Sequence, residues 1–371
     1  MSWHPAASGP RSRIWATNRP HWACRTTGRA LAAARSAAGA ITEVKGTDMT
    51  LKSLFKSALL GASLLAPLPA LANDSAAVME AGGLRLVRDA PVEILSEVLE
   101  IRPDAITVDY VFRAADDMGT TTLVAFPLPE YDLAWYGPEL LGQAGDTVAK
   151  RLGFRLWIDG VEQSPNLELR ALRNGIDVTQ YLEGYGVPIG SLDYDMVMQS
   201  LRALPQEMKD WMAAADLVRW NGNYDPEPRW TIRATYFWSQ TFPPFRDVRV
   251  RHTYTPVAGG FILSDPKLRE FNPADYCMSD GEKNAVSKKL STTQYGAIVT
   301  TQVRYVLTTG ANWRGPIQDF TLIIDKASTD ALVSLCFDGL KKTAPTRFES
   351  HKRNFTPTRE LDVLFFNAPT P

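Results

Sequence analysis

The chain has 371 residues, 45% hydrophobic and 22% charged, which is ordinary globular material and long enough for two domains with cores of their own. Nine of the 40 Lys and Arg but only two of the 41 Asp and Glu fall in residues 1–72, so the remainder carries 31 basic against 39 acidic side chains, a net charge of −8. Nucleic acid and anionic lipid both require a basic footprint, and that balance argues against either as the main partner.

Residues 1–48 are biased to Arg, Ala and Thr, hold three tryptophans and show no steady period. They read as a mis-assigned upstream extension, with Met49 as the true start; a transit-like leader is the competing reading. Residues 49–72 have the three parts of a secretory signal. Lys52 and Lys56 precede an apolar run from Leu59 to Leu68, and the small-x-small triplet Ala70-Leu71-Ala72 follows. Cleavage before Asn73 and a periplasmic location are expected. Pro67 and Pro69 argue against an internal helix here. The run is too short to span a bilayer, no later segment approaches the roughly 20 apolar residues that a span needs, and no cysteine follows the cleavage point to carry a lipid.

Asn73 to Ala90 reads as a lead-in. Strands follow at Val92–Ile101, Ile106–Phe112 and Thr120–Phe126, where Pro127 and Pro129 stop the pairing, and then at Phe154–Ile158 before an Asp159-Gly160 turn. A helical insertion over about 165–228 interrupts them. Asp177 and Gln180 resemble a capping box, and Leu201, Leu204, Met208, Trp211, Met212 and Ala215 follow three-and-four spacing, with Pro205 near a first turn. Strands return at Trp230–Trp238 and Val248–Tyr254.

Cys277 and Cys336 are the two cysteines beyond the leader, an even number in an exported chain, and a disulfide between them is expected. Between them lies Tyr305–Asp325, two alternating runs joined by a turn in which Gly310, Gly315 and Pro316 fix the backbone, which reads as a hairpin. Leu332–Leu335, Arg347–His351 and Leu361–Phe365 complete a second set of strands. The expectation is a mainly β protein of two β-sandwich-like domains, 73–255 with the helical insertion and 256–371 with the disulfide.

Asn73-Asp74-Ser75, Ala81-Gly82-Gly83-Leu84, Ala125-Phe126-Pro127-Leu128-Pro129, Trp238-Ser239-Gln240-Thr241-Phe242-Pro243, Tyr276-Cys277 and the Leu307–Phe320 stretch occur in that order. Together they resemble the exported bacterial family known as domain of unknown function 4424, over nearly all of residues 73–366. The resemblance implies a periplasmic protein and brings no catalytic residues to carry over.

There is no G-x-S-x-G, H-E-x-x-H, EF-hand, G-x-G-x-x-G or Walker pattern, and His252 and His351 are the histidines beyond the leader. Each reads as a sheet-face residue. No catalytic, metal-binding or cofactor-binding residue is assigned, and no cofactor is expected. Asp193 and Asp195 are the best local carboxylate pair for a glycosidase-like hydrolase, although Asp at a helix start usually caps it. Three aromatic loops suit stacking on sugars or peptide side chains: Tyr131 with Trp135 and Tyr136; Trp220 with Asn221, Asn223 and Tyr224; and Asn312, Trp313 and Arg314, the candidate ligand or partner contact. The alternative is that such tryptophans plug domain seams. The reading is a noncatalytic binding or envelope-associated module whose partner is an envelope protein or glycan. The alternative is an envelope hydrolase using the carboxylates near the helical insertion.

Overall fold

Which side chains a strand buries depends on its parity, and Val92–Ile101 shows how one irregularity resets it. Val92 and Ile94 face the core, a β-bulge lies between Ile94 and Ser96, and beyond it Glu97, Leu99 and Ile101 face inward. The computed structural model describes residues 73–80, 83–132, 145–222, 225–256, 258–264, 272–293 and 295–366. The expected upstream extension and the expected signal peptide, residues 1–72, lie outside the described residues.

Val92–Ile101 is central in an eight-stranded sheet. Its order is Lys341–Lys342, Arg347–Phe355, Ile317–Asp325, Val92–Ile101, Ile106–Ala114, Asp247–Tyr254, Arg155–Ile158 and Val161–Gln163. Every neighbouring pair is antiparallel except Ile317–Asp325 with Val92–Ile101, which is parallel. A seven-stranded sheet is built around Thr231–Phe242, which pairs with Thr120–Pro127 on one side and Asn166–Arg173 on the other. The two sheets pack in a sandwich-like manner through aromatic rings, with Phe112 against Phe242 at 5.7 Å and Phe126 against Tyr254 at 5.6 Å between centroids. A five-stranded sheet centred on Ala297–Tyr305 and Leu361–Phe366 lies below. It packs on the Asp280–Thr292 helix through Val286 and Leu290, and it lends Val303, Tyr305, Val363 and Phe365 to the main core. The protein is mainly β, as its alternation implies.

Several expectations change. Tyr305–Asp325 is not a hairpin: Ala297–Tyr305 pairs with Leu361–Phe366, whereas Ile317–Asp325 lies in another sheet between Arg347–Phe355 and Val92–Ile101. Ile317, Phe320, Leu322, Ile323 and Ile324 are all buried, which suits an interior strand of the sheet. The segment between the two strands is a crossover containing a 3₁₀ turn, Thr308–Asn312. Residues on either side of position 255, the expected boundary between 73–255 and 256–371, share one sheet and one hydrophobic core cluster.

The lead-in holds two strands, Ser75–Glu80 and Gly83–Leu86, which extend the seven-stranded sheet. The start of the expected insertion is sheet, because Asn166–Arg173 pairs with Thr231–Phe242, and the helices occupy Thr179–Gly184, Tyr194–Arg202 and Gln206–Ala214. Pro205 is the N-cap of the last helix rather than a first-turn residue. No capping box forms at Asp177; its carboxylate accepts from Thr179 N–H at 2.9 Å. The disulfide joins Cys277 to Cys336 across Cα atoms 4.9 Å apart.

Candidate functional site

Six polar side chains meet where the three sheets converge. Asn73 and Asp74 immediately precede the Ser75–Glu80 strand, Glu97 is turned inward by the bulge, Tyr110 and His252 come from adjacent strands of the eight-stranded sheet, and Tyr305 ends Ala297–Tyr305. None is more than 1% exposed. Asn73 is the hub. Its Nδ2 donates to Glu97 Oε1 at 3.3 Å, to Glu97 Oε2 at 3.2 Å and to Leu307 O at 3.5 Å. Its Oδ1 accepts from Asp74 N–H at 3.0 Å, from the Tyr305 hydroxyl at 3.3 Å and from the Tyr110 hydroxyl. The amide thus uses both its donor and its acceptor capacity inside the core.

The charges are less well served. His252 Nε2 lies 3.5 Å from Asp74 Oδ1 without the alignment of a hydrogen bond, so both Asp74 oxygens and both imidazole nitrogens lack hydrogen-bond partners. Burial pushes the Glu97 carboxyl up to about 8; the Asn73 amide opposes the rise and the nearby Asp74 charge adds to it. Burial also raises Asp74, with His252 pulling the other way. The hydroxyls of Tyr110 and Tyr305 are held well above the usual phenol range by burial and then by Glu97. A substrate has no route to groups sealed in this way, so the cluster acts on the fold rather than on solutes.

The crossover forms the lid of this cluster. Trp313, 1% exposed, donates its indole N–H to Asp74 O at 2.6 Å and packs on Phe112 and Phe242 at 5.2 and 6.1 Å. Asn312 Nδ2 donates to Ser75 Oγ at 3.0 Å. Glu360 fixes the start of the 3₁₀ turn by accepting from Leu307 N–H, Thr308 N–H and the Thr308 hydroxyl at 2.6, 3.1 and 2.6 Å. Gly310 is required by close approach, since a Cβ there would stand 2.7 Å from Asn73 Nδ2. Of the three candidate contact residues, Asn312 and Trp313 face inward and pin the amino-terminal strand, while Arg314 is exposed.

The other candidates separate. Asp193 caps the Tyr194–Arg202 helix, accepting from Met196 N–H and Gly145 N–H, each at 3.0 Å, and these bonds hold its carboxyl below the usual range. That is the reverse of what a general acid needs. Asp195 is exposed in the same first turn. Tyr131 is buried against the seven-stranded sheet, and Trp220 is half-buried, donating its N–H to Lys209 O at 3.1 Å. Asn221 is exposed. Trp135, Tyr136, Asn223 and Tyr224 lie outside the described residues.

The outer face of the eight-stranded sheet is open, and sequence reasoning did not single it out. The register aligns His351, Thr321, Val98, Asp109, Arg251, Trp157 and Glu162 in one row across the strands. A concavity of about 610 Å³ lies over this row and the next, lined by Ser96, Asp109, Val111, Trp157, Arg249 and Arg251 among others. Arg251 stands 3.5 Å from Asp109, and the Arg155 guanidinium covers the Trp157 ring at 4.6 Å. The signal was present as outward-facing parity in Arg249-Val250-Arg251 and Arg155-Leu156-Trp157, which alternate charged or aromatic with buried residues. Among the described residues no group of three or more His, Cys, Asp or Glu is arranged to hold a metal ion, and no helix is long and apolar enough to cross a membrane.

The sequence of residues 72–364 matches the family described as a domain of unknown function, DUF4424. The chain belongs to this family. This DUF4424 chain has no match among curated protein sequences. In structure it is similar to a candidate nutrient-binding protein from Legionella pneumophila, with 14% identity, a TM-score of 0.41, and coverage of 80% of this chain and 70% of that one. It is also similar to an M1 zinc metallopeptidase from Deinococcus radiodurans, with 9% identity and a TM-score of 0.22, covering 76% of this chain but 43% of the peptidase. Likeness at these levels carries no functional argument for the DUF4424 chain.

Proposed function

We propose that the protein is exported, loses its leader before Asn73, and serves as a noncatalytic binding module of the periplasm or envelope, with its ligand on the concave face of the eight-stranded sheet. The observation that carries this reading is that face itself. A half-buried tryptophan, two exposed arginines and a carboxylate stand on a rigid four-strand platform over a concavity of about 610 Å³. Flat aromatic surface beside guanidinium and carboxylate groups suits a polar ligand with a stackable face, such as a sugar or a peptide side chain. The signal-like residues 49–72 support export. The hydrolase alternative gains nothing from Asp193, whose oxygens are occupied as a helix cap.

The test is native mass spectrometry of the protein mixed with a small-molecule extract of the periplasm. Wild type should carry an adduct that is released on denaturation, and a Trp157→Ala, Arg251→Ala double variant that melts normally should lose at least tenfold in occupancy. An adduct retained unchanged by the double variant would remove the concave face as its site.

A further inference from the structure

Two acids and one base share the sealed cluster. Asp74 and Glu97 can carry two negative charges, and His252 can supply at most one positive charge, with no exposed side chain to complete the balance. A buried charge without a counter-charge is costly, and both Asp74 oxygens stand without a hydrogen-bond partner at 0% exposure. The residue beside them is Asn73, the one at which the leader is proposed to be cut. Its Nδ2 is already 3.2 Å from Glu97, and its main-chain nitrogen is four covalent bonds from that Nδ2, so within about 5 Å of it.

We infer that the α-ammonium freed by cleavage before Asn73 is the missing cation: it enters the cluster, pairs with the Glu97 and Asp74 carboxylates, and locks the amino-terminal strand between the sheets. With it the Glu97 and Asp74 carboxyls have a second nitrogen base beside His252 to face. The inference rests on removal of the leader, and it makes that cut a folding step as well as an export step. Several features fit an enclosed terminus. Asn73 is held on both ends of its side chain by residues from Val92–Ile101, Ile106–Ala114, Ala297–Tyr305 and the crossover. Trp313 and Asn312 clamp the next two residues. Gly310 leaves room for Asn73 where any side chain would collide. The groups facing Glu97 and Asn73 are Asp74, Tyr110, His252 and Tyr305, so the new ammonium is the one further cation the site would receive.

The pH dependence distinguishes the two forms. With the terminus blocked, Glu97 has a raised carboxyl value, so its contribution is full below its ordinary range and is lost as pH rises toward about 8. The blocked chain should therefore melt at progressively lower temperature from pH 5 to 8. The processed chain, with Glu97 paired, should lack this fall.

The experiment uses the full chain with a specific protease site placed upstream, so that cleavage in vitro leaves Asn73 first, whatever the cell does. An amine-acylating reagent is applied at pH 7 to the processed protein, and labelling of Asn73 is read by peptide mass. In native protein the α-amine should label at least a hundredfold more slowly than in guanidinium, and Glu97→Gln should restore fast labelling. Equal labelling in native and denatured protein would overturn the inference, as would full protection that Glu97→Gln leaves untouched. Should Glu97→Gln fail to fold, the wild-type rates and the melting profiles of blocked and processed chains decide alone. Failure here leaves leader removal in the cell untouched, because cleavage is imposed.

Discussion

Trp313 was readable as a recognition residue, and its burial turns that idea into a stability prediction. Replacing it by Phe keeps an aromatic ring against Phe112 and Phe242 but removes the indole N–H that Asp74 O accepts at 2.6 Å. Leaving that buried carbonyl unsatisfied costs about 1–3 kcal/mol. The smaller ring leaves a void that adds on the order of 1 kcal/mol. Trp313→Phe should therefore lose about 2–4 kcal/mol, and Trp313→Ala, which also forfeits the ring, should lose at least about 3–5 kcal/mol. Arg314→Ala, next to it but exposed, should stay within about 0.5 kcal/mol of wild type. Urea unfolding followed by circular dichroism, with the slope checked for constancy, measures all three. A Trp313→Phe variant as stable as wild type would refute the pinning role, because the hydrogen bond to the amino-terminal strand would then contribute nothing.

Other consequences follow from the same geometry. Gly310→Ala should lose about 1–3 kcal/mol by driving a methyl into Asn73 and the Ile317 side chain, and a melting curve shows whether it does. Replacing Cys277 and Cys336 together by Ala should cost up to about 4 kcal/mol by freeing a loop of 59-residue separation, and thiol alkylation of unreduced wild type should fail. Asp193→Ala should lose about 1 kcal/mol as a helix cap while leaving binding to a periplasmic extract unchanged; loss of binding without loss of stability would return Asp193 to the functional list.

Much of the sheet structure was legible because alternation is a direct record of burial. Val92–Ile101 and Leu332–Leu335 begin and end where the pattern says, and the mainly β class follows from such runs. What the pattern does not carry is partnership. Ile317–Asp325 alternates like a hairpin arm, yet it is an interior strand of another sheet, and its parallel neighbour lies more than 200 residues earlier. Glu97 faces inward because the bulge resets the parity, and counting back from Ile101 and Leu99 places it there. The Asp280–Thr292 helix starts at a Ser279-x-x-Glu282 capping box, a signal that the sequence carries locally. Nothing local to Asp74 shows its electrostatic setting, which arises only when the start of the seven-stranded sheet's Ser75–Glu80 strand is brought against Glu97 and His252 of the eight-stranded sheet.

The enclosed terminus requires the mature protein to start at Asn73. Amino-terminal sequencing of the protein recovered from the periplasmic fraction should give Asn73-Asp74-Ser75. A start other than Asn73 would contradict the proposed cut and the terminus built on it, and retention of the chain in the cytoplasm would contradict export.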